Sequence, residues 1–297
     1  MPGYLIVGTV LATATALALA WKWQLGVLRA GVVILAQSMV TAHVLSAVNP
    51  LAHFSTVTGT LAMWGITVLA AAGWLLIVFF RDPERGAPDR ADVIVSPADG
   101  HVIYVRPVPP GEVPESTKRG HASLLRELRG TPLCDGGALA VGISMSMADV
   151  HVNRAPIAGP VRLVERTRGT FGSLRKPEMA ASNERVTTVV GTGDLQIAVV
   201  QIASRLVRRI ATFASEGDEL RLGQRIGAIR FGSQVDLLLP AQQHIKLAVQ
   251  VGDRLVAGRT IVGVVVQSAP HGHHGPVPKN QDPYPERTRG DSPAPAS

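Results

Sequence analysis

Hydrophobic and polar positions divide this chain of 297 residues into two unlike parts. Up to Phe80 the apolar residues fall into three stretches, Tyr4 to Trp21, Val27 to Val48 and Leu61 to Phe80, each near the ~20 residues with which a helix crosses a hydrocarbon layer. The third, within AMWGITVLAAAGWLLIVFF, carries no charge and stops at Arg81, as a span ending at an interface does. The second is interrupted by Arg29, Gln37, Ser38, Thr41 and His43, so the pattern predicts an anchor of two or three helices over residues 1–80. No basic residue precedes the first apolar run, which argues against a cleavable signal peptide.

From Asp92 the apolar runs shorten and are bounded by Gly, Pro and Asp: VIVSP, HVIYVRPV, ALAVGISM, HVNRAPI, RVTTVV, LQIAVVQIA, IGAIRF, VDLLLP, IKLAVQV and TIVGVVVQ. These are strand signals, and the best helical candidate among them is the short ASLLRELRG within 121–130. The expected fold class is α+β, a strand-dominated antiparallel domain over residues 81–267 preceded by N-terminal transmembrane helices. GDELRLGQRIGAI from Gly217 repeats as GDRLVAGRTIVGV from Gly252, each copy opening on a Gly-Asp turn, and these hairpins look like those of lipoyl and biotinyl carrier domains. The tail over 268–297 is rich in Pro, Gly and charge without apolar periodicity, and is expected to be disordered. His271, His273 and His274 read as solvated tail residues, and no metal site is expected.

Charge sharpens the division. Only Lys22 and Arg29 are charged before position 81, every acidic residue comes later, and the formal net charge is +7. A basic chain with a hydrophobic end suits an acidic lipid surface better than nucleic acid. Lys22 and Arg29 flank the first turn, the connection from Asn49 to Thr60 has no Lys or Arg, and Arg81, Arg85 and Arg90 follow the third stretch. With three spans this places the N-terminus outside and the later domain on the cytoplasmic side of the cell (inner) membrane; the three arginines either attract acidic headgroups or simply set topology. Cys134 is the single cysteine, which excludes an intramolecular disulfide and a thiolate metal cluster.

Four blocks carry the chemistry: FFRDPERGAPDRADVIVSPADGHV from Phe79, MSMADVHVNRAPIAGPV from Met145, NERVTTVVGTGDLQIAVVQIASRLVRRI from Asn183 and EGDELRLGQRIGAIRFGSQVDLLLP from Glu216. Together and in this order they resemble the short form of the phosphatidylserine decarboxylase family, whose members share FFRDP, SPADG, DVHVNR and an RFGS-x-VD-x-x-LP cleavage site. The resemblance implies that residues 81–267 form the catalytic domain of a zymogen that cuts itself between Gly232 and Ser233. The Ser233 hydroxyl attacks the Gly232 carbonyl to give an ester, and elimination and hydrolysis leave a covalent pyruvoyl cofactor at the new terminus. The two chains, 1–232 and 233–297, then associate as a heterodimer, with any higher oligomer left open. The pyruvoyl ketone condenses with the serine amine of phosphatidylserine and takes up the electron pair released as carbon dioxide leaves, giving phosphatidylethanolamine.

A serine hydroxyl needs a base to become a nucleophile, and a histidine held by a carboxylate is the expected companion. Asp99 of SPADG and His151 of DVHVNR stand where the family places an acid and a histidine. His151 also fits the later proton transfers. The sequence departs from the family in three places. Arg154 stands where the long form has a second histidine, Met147 and Ala148 replace the usual Pro-Phe, and Pro107 to Gly137 looks like an insertion. Arg154 cannot serve as a base near neutral pH, so His151 serves both steps or another group assists. A competing reading is a non-catalytic, membrane-tethered, lipoyl-like adaptor or carrier, but Lys246, the lysine between the two repeats, lacks the Met-Lys context of a carrier. A paralogue acting on another serine-headed lipid also stays open.

Overall fold

The computed structural model describes residues 3–22, 27–52, 55–118, 121–168, 184–193, 195–203, 209–230, 233–241 and 244–266. The expected tail over 268–297 lies outside the described residues, as do Phe231 and Gly232. Three long helices come first, α1 (Gly3–Lys22), α2 (Val27–Ala52) and α3 (Thr56–Phe80), and all three are long and apolar enough to cross a membrane. The interrupted middle stretch is thus a full helix. Three of its polar residues, Gln37, Ser38 and Thr41, face the bundle, since Ser38 and Thr41 are buried and Gln37 Nε2 donates to the Thr67 carbonyl at 2.7 Å, as polar groups within helix bundles do in lipid. Small residues let α1 and α3 approach: a Cβ on Gly8 would lie 2.6 Å from Met63, and one on Gly59 2.7 Å from the Tyr4 ring. Ser55 caps α3 by accepting from the Thr58 amide, and Arg81 ends it in extended backbone.

The remainder is strand-rich: β1 (Val93–Val95), β2 (Gly100–Val108), β3 (Glu115–Lys118), β4 (His121–Leu124), a short α4 (Pro132–Asp135), β5 (Ala138–Met145), β6 (Val152–Arg154), β7 (Gly159–Thr167), β8 (Arg185–Thr192), β9 (Leu195–Ile202), β10 (Arg209–Thr212), β11 (Glu219–Leu220), β12 (Arg225–Arg230), β13 (Ser233–Pro240), β14 (Ile245–Leu247), β15 (Arg254–Leu255) and β16 (Ile261–Val265). An eight-stranded sheet runs β11-β7-β8-β9-β13-β5-β2-β15, and two three-stranded sheets, β10-β12-β6 and β1-β16-β14, accompany it. Every pairing among the described strands is antiparallel. Strand alternation sends Val235, Leu237 and Leu239 of β13 into the main core, with Ile94, Val262, Ile226 and Ile229 of the small sheets. Leu238 points the other way, into a second core.

The segment from Pro107 to Gly137 supplies the other side of that second core. Leu125, Leu128 and Leu133 are fully buried against Val108, Ala140, Val200 and Leu238. The helix expected within 121–130 is not there: His121–Leu124 pairs with β3, and Arg126–Leu128 makes a single 3-10 turn. A helix that short has little stability of its own, and burying both leucines on the sheet decides the conformation.

The two Gly-Asp copies fold alike. Asp218 accepts from the Ser215 amide at 2.8 Å and Asp253 from the Gln250 amide at 2.9 Å. Each copy supplies an edge strand of the large sheet, β11 or β15, and the Ala155 and Ser96 carbonyls accept from the Gly223 and Gly258 amides in equivalent positions. Lys246 lies inside β14, paired with Val264, not at a hairpin tip where a carrier would present it.

Candidate active site

The SPADG turn is set by two local devices. Ser96 Oγ donates to the Ala98 carbonyl at 2.7 Å and accepts from the Ala98 amide. Gly100 has φ +146°, and a Cβ there would lie 2.2 Å from the Ser144 carbonyl oxygen, so only glycine lets β2 start so close to β5. Asp99 is thereby held inward, 6% exposed. Arg85 grips it with both arms of its guanidinium, at 2.5 and 2.9 Å. The Ala257 amide (2.8 Å) and the Val150 amide (3.3 Å) complete the shell. Burial works to raise the Asp99 pKa, but the bond to Arg85, the Ala257 amide, the Arg85 charge and the Val150 amide outweigh it and hold the carboxyl below its usual range. Arg85 is therefore not a headgroup ligand as the charge pattern allowed; it is a buried partner of Asp99.

His151 follows the loop from Ser146, where Asp149 accepts from the Ser146 amide at 2.7 Å and from Arg254 at 3.1 Å. The imidazole is 3% exposed. Its Nδ1 lies 2.8 Å from the Asp149 carbonyl oxygen. A carbonyl can only accept, so Nδ1 carries the proton, and in the neutral ring Nε2 holds a lone pair. Among the described residues Nε2 is buried without a hydrogen-bond partner. Desolvation, opposed by the Asp149 carbonyl and the charges of Asp149 and Asp99 and reinforced slightly by Arg81, drives the pKa down to about 4. The ring is neutral at physiological pH, and Nε2 is a base. The expected carboxylate on the imidazole is corrected here: a main-chain carbonyl sets the tautomer, and Asp99 acts one residue earlier, on the Val150 amide. A charged Asp99 already saturated by Arg85 and two amides has no reason to reach the ring.

Ser233 is placed by backbone register. It opens β13 opposite Met145, the last residue of β5. Two residues upstream of Phe231 the Ile229 amide donates to the His151 carbonyl at 3.0 Å. The chain thus leaves β12, in a small sheet, with Ile229 beside His151, and re-enters at the centre of the eight-stranded sheet with β13. Arg154 does not take the missing histidine's place. It is 3% exposed and donates to the carbonyls of Gly223 (3.0 Å) and Pro83 (2.9 Å), clamping the segment after α3 onto the domain. Ala148, one of the two departures before Asp149, offers its carbonyl to Arg81 at 2.7 Å.

Two features escaped sequence reasoning. Phe79 packs its ring on His151. Gln201 and Asn153, both fully buried, are joined by a 2.8 Å bond from Gln201 Nε2 to Asn153 Oδ1, and Gln201 sits opposite Val235 on β9, two residues from Ser233. The signal for this pair was faint: polar residues inside otherwise apolar strand runs.

A buried, neutral histidine with a lone pair that has no donor among the described residues is an arrangement suited to proton transfer. The family described as phosphatidylserine decarboxylase matches residues 73–263. A phosphatidylserine decarboxylase proenzyme from Symbiobacterium thermophilum is 39% identical over 206 residues, covering 69% of this chain and 86% of the relative. One from Erythrobacter litoralis is 38% identical over 237 residues, covering 79% and 84%. A Methanocaldococcus jannaschii protein named for archaetidylserine decarboxylation is 38% identical over 188 residues, covering 63% and 88%. The protein is an enzyme of the carboxy-lyase class. The chain belongs to the phosphatidylserine decarboxylase family.

Proposed function

We propose that this protein converts phosphatidylserine to phosphatidylethanolamine and carbon dioxide, after cutting itself between Gly232 and Ser233 and turning Ser233 into a covalent pyruvoyl group. The observation that carries the reading is the fixed tautomer of His151, which leaves a buried lone pair at Nε2 on the residue whose carbonyl takes the Ile229 amide of β12. In self-cleavage Nε2 takes the proton of the Ser233 hydroxyl as the oxygen attacks the Gly232 carbonyl, and returns it to the departing Ser233 nitrogen. Because the carbonyl of Asp149 holds Nδ1–H, one histidine suffices, and Arg154 is free to be structural. Asp99 orients the loop through the Val150 amide, and with Asp149 its charge steadies the imidazolium that forms.

The same residues suit the resident group. A lone pair that no donor among the described residues uses is what a ketone-forming terminus at 233 would require nearby. When formed, the pyruvoyl group supplies a ketone for the substrate amine and an electron sink for the bond that loses carbon dioxide. His151 Nε2 removes a proton from the substrate ammonium and delivers one to the carbon left behind. Residues 1–80 anchor this domain, 81–267, to the cell (inner) membrane on its cytoplasmic side, where a two-tailed lipid stays, and the two chains of the mature enzyme remain a heterodimer.

Intact mass on the purified protein tests the reading: two chains divided after Gly232 are expected, the smaller blocked at its N-terminus and shifted by borohydride, while Ser233→Ala stays one chain. A single unbroken wild-type chain ends the proposal. Vesicles of phosphatidylserine and of archaetidylserine, offered in parallel, identify the lipid by release of carbon dioxide.

A further inference from the structure

Phe79, next to last in α3, is 2% exposed, whereas its neighbour Phe80 is 57% exposed. The two consecutive aromatics thus part company, and Phe79 turns into the protein. Its ring centroid lies 4.0 Å from that of His151, with the planes tilted by 34°. Arg81, just past the helix, donates to the Val78 carbonyl at 2.6 Å and to the Ala148 carbonyl of the histidine loop at 2.7 Å. A membrane helix and the catalytic loop are therefore joined by one stack and one hydrogen bond.

His151 needs such a contact. Its one hydrogen bond to the described residues, at Nδ1, leaves the ring free to swing about that bond; a flat neighbour removes this freedom. The charges that face the ring are Asp149 from its own loop, Asp99 from the SPADG turn and Arg81 from the helix exit. They partly cancel, so exclusion of water governs the protonation of the ring, and Phe79 supplies part of that exclusion.

Resting on the reading of His151 as the proton carrier, we propose that Phe79 is a positioning residue of this enzyme: through it the end of the third membrane helix forms a wall of the catalytic site, fixing the His151 imidazole and keeping it dry. Substrate headgroups then meet the base at the depth where the helix leaves the hydrocarbon.

The test uses full-length precursor, synthesised cell-free into liposomes of phosphatidylcholine and phosphatidylserine, with appearance of the small chain followed on denaturing gels between about pH 3.5 and 8. Phe79→Ala is expected to cleave at least about tenfold more slowly, with its acid limb moved up toward the ordinary histidine value of about 6.5. Phe79→Leu, which keeps apolar cover, returns the limb to the wild-type position. Trp74→Leu, an exposed position in the same helix, leaves rate and limb unchanged. A wild-type profile in Phe79→Ala overturns the proposal, and so does equal slowing in Phe79→Ala and Phe79→Leu with an unmoved limb, the mark of a folding defect alone. If the wild-type precursor never cleaves, the proposed function itself fails, and the two failures are told apart on one gel.

Discussion

Asp99 and His151 stand side by side in the sequence argument, yet the structure separates their tasks. Asp99 is a buried anion with a buried cation, and Asp99→Asn strands the Arg85 guanidinium against a neutral amide. Breaking one side of such a pair costs about 3–5 kcal/mol, a loss that thermal melting in detergent would register. Both residues also make the fold sensitive to acid. The folded pKa of Asp99 is depressed, so its stabilisation is present above the unfolded value of about 3.9 and is lost as pH falls through the folded value. His151 is kept neutral down to about 4 in the fold but charges near 6.5 when unfolded. Protons therefore favour the unfolded chain between those values, by up to about 1.4 kcal/mol per pH unit. Melting temperatures read across pH are expected to fall from about 6.5 downward, with His151→Gln flattening the upper part of the decline and Asp99→Asn the part below about 4.

The motif residues were legible because each sits in a short, unusual string. Their partners were not. Arg85 reaches Asp99 and Ala257, Gln201 reaches Asn153, and the Asp149 carbonyl replaces the anticipated carboxylate; all depend on chain folding across tens of residues, or on main-chain atoms that no side-chain motif can advertise.

At the scale of elements, clamps and covers matter more than strands. Arg154 is buried on two carbonyls and lies 3.5 Å from Asp82, while Arg225 meets Asp82 and Glu84 at the surface. Arg154→Ala is expected to loosen the segment after α3 and lower the melting temperature clearly, whereas Arg225→Ala is nearly silent, as solvent-exposed pairs are. The segment from Pro107 to Gly137 makes a separate prediction. Leu128→Ala removes a fully buried side chain from the second core, for a loss of about 2–5 kcal/mol, and leaves the pH profile of cleavage untouched because that core lies on the opposite face of the sheet from Val235. Most strand runs were readable from alternation. β7, GPVRLVERT, was not, because its partly exposed face is interleaved with charge, and β11 and β15 are too short to show a period. The helix expected within 121–130 failed for the converse reason, since local propensity lost to burial on a sheet.

On the scale of the whole molecule, three apolar helices precede a strand-rich body, a division written plainly in the charge distribution. A reporter fused at the C-terminus is expected to signal cytoplasmic exposure, and periplasmic activity would reverse the orientation. The position of β13 carries a larger consequence. The segment after residue 232 supplies β13, laddered on both sides by β9 and β5, as well as β15 on β2 and β16 on β1. Once the proposed cut is made, the short piece is woven through the long one, so maturation loosens nothing. Recovery is another matter: a melted mature molecule yields two strangers that must find each other in dilute solution, and the serine needed to begin again is gone. Such a catalyst is assembled once, and its working lifetime is fixed by how slowly it unravels rather than by an equilibrium.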